Sequence, residues 1–116
     1  MTSNTAWWGG SILAAGDSSA TAADCTMSLN YASYGGAVAV GMNTSLTIAT
    51  MTLSKCALTS NTASSSGAAL FVRKGGIADL VDSVFQSNVG NNTDDDGVGI
   101  VNANGQVQCD ATRGLP

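Results

Sequence analysis

The stretch MSLNYASYGGAVAV, residues 27–40, decides the fold, because three other segments of the chain repeat its pattern. Those segments are MTSNTAWWGGSIL at 1–13, LTSNTASSSGAALFV at 58–72 and FQSNVGNNTDDDGVGIV at 85–101. The repeats therefore begin near residues 1, 27, 58 and 85. Their differences in length fall in the polar stretches between matched blocks, as expected for loops.

Five matched positions keep their side-chain type from repeat to repeat. An apolar residue is followed by an asparagine and a small residue, and a later glycine precedes a second small residue and a bulky one. The five sets are Met1, Met27, Leu58, Phe85; Asn4, Asn30, Asn61, Asn88; Ala6, Ala32, Ala63, Gly90; Ser11, Ala37, Ala69, Gly99; and Ile12, Val38, Leu70, Ile100. Columns of constant side-chain size predict that successive repeats stack.

The spacing of the repeats predicts the fold class. The asparagines are 26, 31 and 27 residues apart, which suits one coil of a parallel β-helix with several short strands. We predict an all-β solenoid of about four coils over 1–116, with three short strands per coil and incomplete end coils. The strands expected in two successive coils are 36–40, 46–53 and 55–61, and then 68–72, 77–81 and 83–88.

Stacking gives the asparagine column a structural role. Equivalent residues of stacked strands lie about 4.8 Å apart, so the amides of Asn4, Asn30, Asn61 and Asn88 can donate and accept along the column. Asparagine also tolerates the left-handed backbone conformation, so we expect it at a corner of each coil. Glycine is expected to form the next corner.

Composition agrees with strands and restricts the function. The chain is 44% apolar and 10% charged, with 14 Gly, no His and no Glu. Because some charged residues, such as Glu, are strong helix formers, residues that favour helices are scarce. The net charge of −4 argues against nucleic-acid binding and against anionic membranes. No apolar run is long enough to span a bilayer, and the segment MTSNTAWW at 1–8 lacks the pattern expected of a secretion signal.

The blocks FQSN at 85–88 and GGAV at 35–38 resemble the FxxN and GGA[ILV] signature of the polymorphic outer-membrane protein repeat. Met1, Met27 and Leu58 replace Phe in the other three copies, and the glycine pair is retained in two of the four. The resemblance implies a right-handed parallel β-helix and an extracellular or cell-surface scaffold or adhesive module. Surface glycans are then candidate partners.

Catalytic groups are few, because paired acids or carboxylates clustered with basic residues are what an enzymatic β-helix requires. Asp79 and Asp82 fall on a predicted strand near Arg73 and Lys74, where solvated ion pairs are the expected role. We therefore expect no enzyme. A polysaccharide-binding or polysaccharide-cleaving β-helix of the pectate-lyase type is the alternative.

The segment NNTDDDG at 91–97 is the most acidic of the chain. Asn92, Asp94 and Asp96 alternate as in the start of a calcium-binding loop, but the position that should close the loop with a bidentate Glu is Ala103. A solvated loop is the main expectation, and calcium is the alternative cofactor.

Cys25 and Cys56 occupy the same repeat position, five residues before Asn30 and Asn61. Stacked neighbours lie within the Cα range of a disulfide, yet parallel neighbours point the same way, so a buried thiol stack and a disulfide both remain open. The repeat identifies no partner for Cys109. Asn43 and Asn91 each begin a glycosylation sequon in a predicted loop.

Two aromatic residues and the two chain ends complete the candidate features. Trp8 is expected to stack on Tyr34, and Trp7 and Trp8 either pack against the end coil or contact a sugar or another chain. The first and last coils look unfinished, which predicts either a longer β-helix or head-to-tail self-association into filaments. The leading hypothesis is a non-catalytic structural or adhesive module that associates with itself.

Overall fold

The computed structural model of the chain describes residues 1–41, 48–73, 75–89, 93–95, 100–104 and 108–109. Within these residues the chain forms strands and turns and has no helix, so the all-β prediction is confirmed. The strands in chain order are β1 Thr5–Trp8, β2 Ile12–Ala14, β3 Ser19–Ala23, β4 Thr26–Ser28, β5 Tyr31–Tyr34, β6 Val38–Val40, β7 Ala49–Ser54, β8 Ala57–Thr59, β9 Thr62–Ser66, β10 Leu70–Val72, β11 Gly76–Val81, β12 Val84–Gln86, β13 Thr93–Asp95, β14 Ile100–Asn104 and β15 Gln108–Cys109.

These strands form four parallel sheets, in which each strand pairs with its counterpart in the neighbouring repeat. The strand orders are β1-β5-β9, β13-β10-β6-β2, β14-β11-β7-β3 and β15-β12-β8-β4. The last three sheets correspond to the three strands per repeat that the sequence predicts. The first sheet is additional, because its strands lie in stretches that the sequence pattern assigned to polar connections.

The register of the sheets reproduces the predicted columns from the first repeat to the start of the fourth. Met27 pairs with Leu58, which pairs with Phe85, and all three side chains are fully buried. Ala32 likewise pairs with Ala63. The apolar column therefore lies in the interior, where equivalent side chains of successive repeats contact one another.

The fourth repeat departs from the prediction. Ile100 was expected to continue the column of Leu70, but Leu70 pairs with Thr93, and Ile100 pairs with Ile77 in the next sheet. The five residues of β14 all pair with β11, which gives a longer backbone ladder than a three-residue glycine-led strand would give. Strand β14 therefore lies one sheet further along the chain order than the pattern predicts for Ile100, and β15 pairs with β12.

Burial follows the alternation of the strands. In β7 and β11 every second residue is buried, as expected for strands with one face toward a core. The core consists of the inward side chains of all three predicted sheets, including Met27, Val38, Val40, Met51, Leu53, Leu58, Leu70, Val72, Leu80 and Phe85.

The corners between sheets are formed by residues with positive φ, but these are not the asparagines. The residue before each asparagine has a left-handed backbone, with φ of 56° at Ser3, 57° at Leu29, 55° at Ser60 and 57° at Ser87. The expectation that asparagine itself takes this conformation was wrong. The asparagine follows the corner, where its side chain can reach backbone groups that the corner leaves without a strand partner.

Glycine forms the next corner, in agreement with the sequence pattern. Gly9, Gly35 and Gly67 have φ of 56°, 64° and 64°. A Cβ atom at Gly35 would lie 2.1 Å from the carbonyl oxygen of Val38, so no other residue fits this corner without displacing the strand that follows.

Candidate functional site

The asparagine side chains form a hydrogen-bonded ladder through the four repeats. The Nδ2 atom of each asparagine donates to Oδ1 of the next, at 3.0 Å from Asn4 to Asn30, 3.0 Å from Asn30 to Asn61 and 3.1 Å from Asn61 to Asn88. Each of these Oδ1 atoms also accepts the backbone N–H of the preceding asparagine, at 3.0, 3.0 and 2.8 Å. Two donors of one repeat therefore converge on one oxygen of the next.

The amides also bind the backbone on their other side. Nδ2 of Asn61 donates to the carbonyl oxygen of Met27 at 3.0 Å, and Nδ2 of Asn88 donates to that of Leu58 at 2.9 Å. One asparagine thus joins its own repeat to the repeats on both sides. Asn30, Asn61 and Asn88 are at most 2% exposed. These hydrogen bonds therefore replace the hydrogen bonds to water that the amides lose on burial.

Each repeat has a second residue with a left-handed backbone, namely Asp24, Lys55 and Asp82. The residues that directly follow these three form a second column of polar side chains. The column consists of Cys25, Cys56 and, in the next repeat, the fully buried Ser83. The Ser83 hydroxyl accepts the backbone N–H of Cys56 at 3.2 Å and lies 3.2 Å from the carbonyl oxygen of Leu53, to which it can donate. The repeat alignment did not identify Ser83, although it occupies the cysteine position.

The two cysteines of this column are free thiols in the structure. Sγ of Cys56 donates to the carbonyl oxygen of Ala22 at 3.3 Å, and Sγ of Cys25 donates to that of Ala23 at 3.2 Å. Burial raises the pKa of the Cys56 thiol, because the low-dielectric interior disfavours the thiolate. Both thiols therefore act as donors to the backbone at this corner.

Cys109 belongs to a different column. Its backbone pairs with Phe85, which places it after Met27, Leu58 and Phe85 in the apolar column. The repeat alignment did not identify this position for Cys109. Cys109 is therefore not stacked on the Cys25–Cys56 column.

An aromatic cluster lies outside the core at the corner between the first and second sheets. The rings of Trp8 and Tyr34 stack with a centroid distance of 4.3 Å and an angle of 15°, which confirms the predicted stacking. Phe71, from the next repeat, packs 5.1 Å from Tyr34 and 6.0 Å from Trp8. The sequence did not predict the participation of Phe71.

Arg73 completes this cluster. Its guanidinium carbon lies 4.4 Å from the centre of the Trp8 ring, which is the geometry of a cation–π contact. The sequence pattern had placed Arg73 beside Asp79 and Asp82. Asp79 is on β11, but Asp82 follows the end of that strand at a φ of 49°, so the expectation that both acids lie on the strand was wrong.

A shallow groove of about 90 Å³ adjoins the cluster and is lined by Trp8, Leu13, Ala15, Gly41 and Arg73. Leu13 is 52% exposed. Trp7 is 69% exposed, so the expected packing of this side chain against the end coil is not seen. The surface of the first repeat therefore presents several apolar and aromatic groups to solvent.

Several predicted positions lie outside the described residues. These are the sequon asparagines Asn43 and Asn91, Lys74, and the calcium candidates Asn92 and Asp96. Asp94 belongs to β13, whose backbone pairs with β10, so part of the expected acidic loop is a strand.

Among the residues that the structure describes, no group of three or more His, Cys, Asp or Glu side chains could hold a metal ion. No helix in the same ranges has the length and hydropathy required to cross a bilayer. Comparisons with protein-family models, with curated proteins and with solved structures found no match to this chain.

Proposed function

We propose that the chain is a segment of a right-handed parallel β-helix and serves as a non-catalytic structural or adhesive module of an extracellular or cell-surface protein. The asparagine ladder is the observation that carries the proposal. Each buried amide forms hydrogen bonds that join one repeat to its neighbours, as in a rod of stacked repeats.

The use of the buried polar groups supports a structural role. The buried polar side chains of the described core are Asn30, Asn61, Ser83 and Asn88, and all four lie in the two corner columns. They bind backbone groups and one another. The resemblance of the repeat to the polymorphic outer-membrane protein repeat supports the same role and the extracellular location.

The edge of each sheet offers a way for the rod to extend. Strand β3 lies at the edge of its sheet, and the carbonyl of Ser18 accepts the N–H of Thr50 from β7. In a parallel strand, alternate residues direct their backbone groups to opposite sides, so the N–H of Thr21 points away from β7. A further repeat, from the same protein or from another copy, can pair there.

Assembly of the purified chain tests this proposal. We expect light scattering after size exclusion, with negative-stain imaging, to show oligomers or filaments that grow with concentration. Thr21→Pro removes an outward N–H and no bond to β7, so it should reduce assembly. Thr21→Val keeps the N–H and the strand conformation, and it should assemble like the parent chain.

Two results would contradict the proposal. A parent chain that stays strictly monomeric at high concentration rules out association through the sheet edges. Equal assembly by Thr21→Pro and Thr21→Val shows that copies associate through another surface. Circular dichroism on both variants verifies that the proline leaves the β-structure in place.

A further inference from the structure

The Arg73 side chain lies over small residues, which occupy the equivalent positions of the two preceding repeats. The register pairs Ala14 with Val40 and Val40 with Val72, so the residues that follow them, Ala15, Gly41 and Arg73, occupy equivalent positions. Arg73 belongs to the third repeat and Trp8 to the first, yet the guanidinium reaches the indole. Glycine and alanine in the two preceding repeats leave room for this long side chain.

The contact with the indole leaves N–H donors of the guanidinium available for a ligand. A cation–π contact needs only the positive charge over the ring, and arginine carries five N–H donors. Within the described residues the guanidinium of Arg73 forms no ion pair and donates no hydrogen bond to the protein. Tyr34 stacks on Trp8 and helps to hold the indole in place.

We propose that the groove beside Arg73 binds a sugar residue that carries a carboxylate. The guanidinium fork matches a carboxylate with two parallel hydrogen bonds. Leu13 and the Trp8 indole supply an apolar surface against which the C–H face of a pyranose ring can pack. This site does not depend on the proposed scaffold role.

The charge of the chain restricts the ligand further. A net charge of −4 repels a polyanion, whereas a single guanidinium can still bind one carboxylate at short range. The ligand that fits best is therefore one acidic sugar on an otherwise neutral glycan. A peptide carboxylate would use the same fork, and the experiment separates the two.

The test titrates three small probes into isotope-labelled protein and follows the indole N–H resonance of Trp8. Methyl glucuronide should bind with a dissociation constant of about 1–10 mM, the range expected for one sugar at a shallow site. Methyl glucoside has the same ring without the carboxylate and should bind at least about tenfold more weakly. N-acetyl-leucine represents a peptide carboxylate and should also bind more weakly than methyl glucuronide.

Variants locate the binding at Arg73. Arg73→Gln should weaken methyl glucuronide binding at least about tenfold, and Arg73→Lys, which keeps the charge without the fork, should have an intermediate effect. Lys55→Gln removes the same charge at a distant corner and should bind like the parent protein. If Arg73→Gln does not fold, Arg73→Lys and the comparison of the two methyl glycosides still decide the question.

The proposal is overturned by any of four results. These are equal binding of the two glycosides, tighter binding of N-acetyl-leucine, an equal loss in Lys55→Gln, and no saturable binding up to about 50 mM of methyl glucuronide.

Discussion

Replacing Asn61 by alanine should destabilise the protein more than the same change at the end of the asparagine ladder. The Asn61 amide donates to Asn88 and Met27 and accepts both the backbone N–H and the Nδ2 of Asn30. Asn61→Ala removes these four hydrogen bonds from a fully buried position.

The magnitude follows from the groups that lose a partner. The backbone N–H of Asn30 and the carbonyl of Met27 both lose their bonds to the amide, and each unsatisfied buried group costs about 1–3 kcal/mol. The expected loss is therefore about 2–6 kcal/mol, a large share of the roughly 6–17 kcal/mol expected for a chain of this length. The midpoint of thermal unfolding should fall by about 8–25 °C.

Urea and thermal unfolding followed by circular dichroism measure this loss. Asn4→Ala is the matched control, because Asn4 is exposed and Oδ1 of Asn30 keeps the backbone N–H of residue 4 as a donor. The control should lose less than about 1 kcal/mol. An Asn61→Ala variant as stable as Asn4→Ala would refute the reasoning that buried amides hold adjacent repeats together.

Three further predictions concern the corners. Gly35→Ala places a Cβ 2.1 Å from a carbonyl oxygen at positive φ and should cost more than about 2 kcal/mol by urea unfolding. Gly16→Ala, with a φ of 69° but no atom within 4 Å of the new Cβ, should cost only about 1–2 kcal/mol. Alkylation by iodoacetamide at pH 8, read by mass spectrometry, should modify Cys25 well before Cys56, because burial shields Cys56 and its raised pKa lowers the thiolate fraction; equal rates would contradict this. Ser83→Ala should cost about 1–3 kcal/mol, since it leaves the backbone N–H of Cys56 without its acceptor, and an unchanged unfolding midpoint would show that water or another group replaces the hydroxyl.

The columns of the fold could be predicted because stacking of the repeats restricts the side-chain volume and the glycine positions that the sequence can have. Met27, Leu58 and Phe85 differ in chemistry but fill the same buried space, and Gly35 and Gly67 form the same corner. Such positions allow few alternatives, so their pattern survives in the sequence. The prediction failed in the fourth repeat, where the acidic segment Thr93–Asp95 pairs with β10 in place of the apolar segment around Ile100.

The first sheet could not be predicted from periodicity. Its strands lie between the asparagine and glycine corners and include exposed residues such as Tyr31 and Ser64. Of the alanines that follow the asparagine by two residues, Ala32 is buried, whereas Ala6 and Ala63 are half-buried. One small residue per strand is too weak a signal to separate a strand from a loop.

The left-handed corners were assigned to the wrong residue for a related reason. Ser3, Leu29, Ser60 and Ser87 share no side chain that favours positive φ, and a leucine there is unfavourable by itself. The conformation is imposed by the bonds that follow it, since the next residue in each repeat is an asparagine whose amide binds both neighbouring repeats. Local propensity therefore could not reveal a corner that adjacent repeats determine.

The contacts within the aromatic cluster, on the outer surface, also depend on how the repeats stack. Trp8 and Tyr34 are equivalent residues of adjacent repeats, so their contact could be predicted, whereas Arg73 reaches Trp8 across a whole intervening repeat. Gly41 lies in the groove beside this contact, and its φ of 98° favours glycine there independently of the Arg73 side chain. In this fold the corner columns join the repeats, while outward side chains are free to vary, so a binding surface can be built on one face without altering the bonds that hold the stack together.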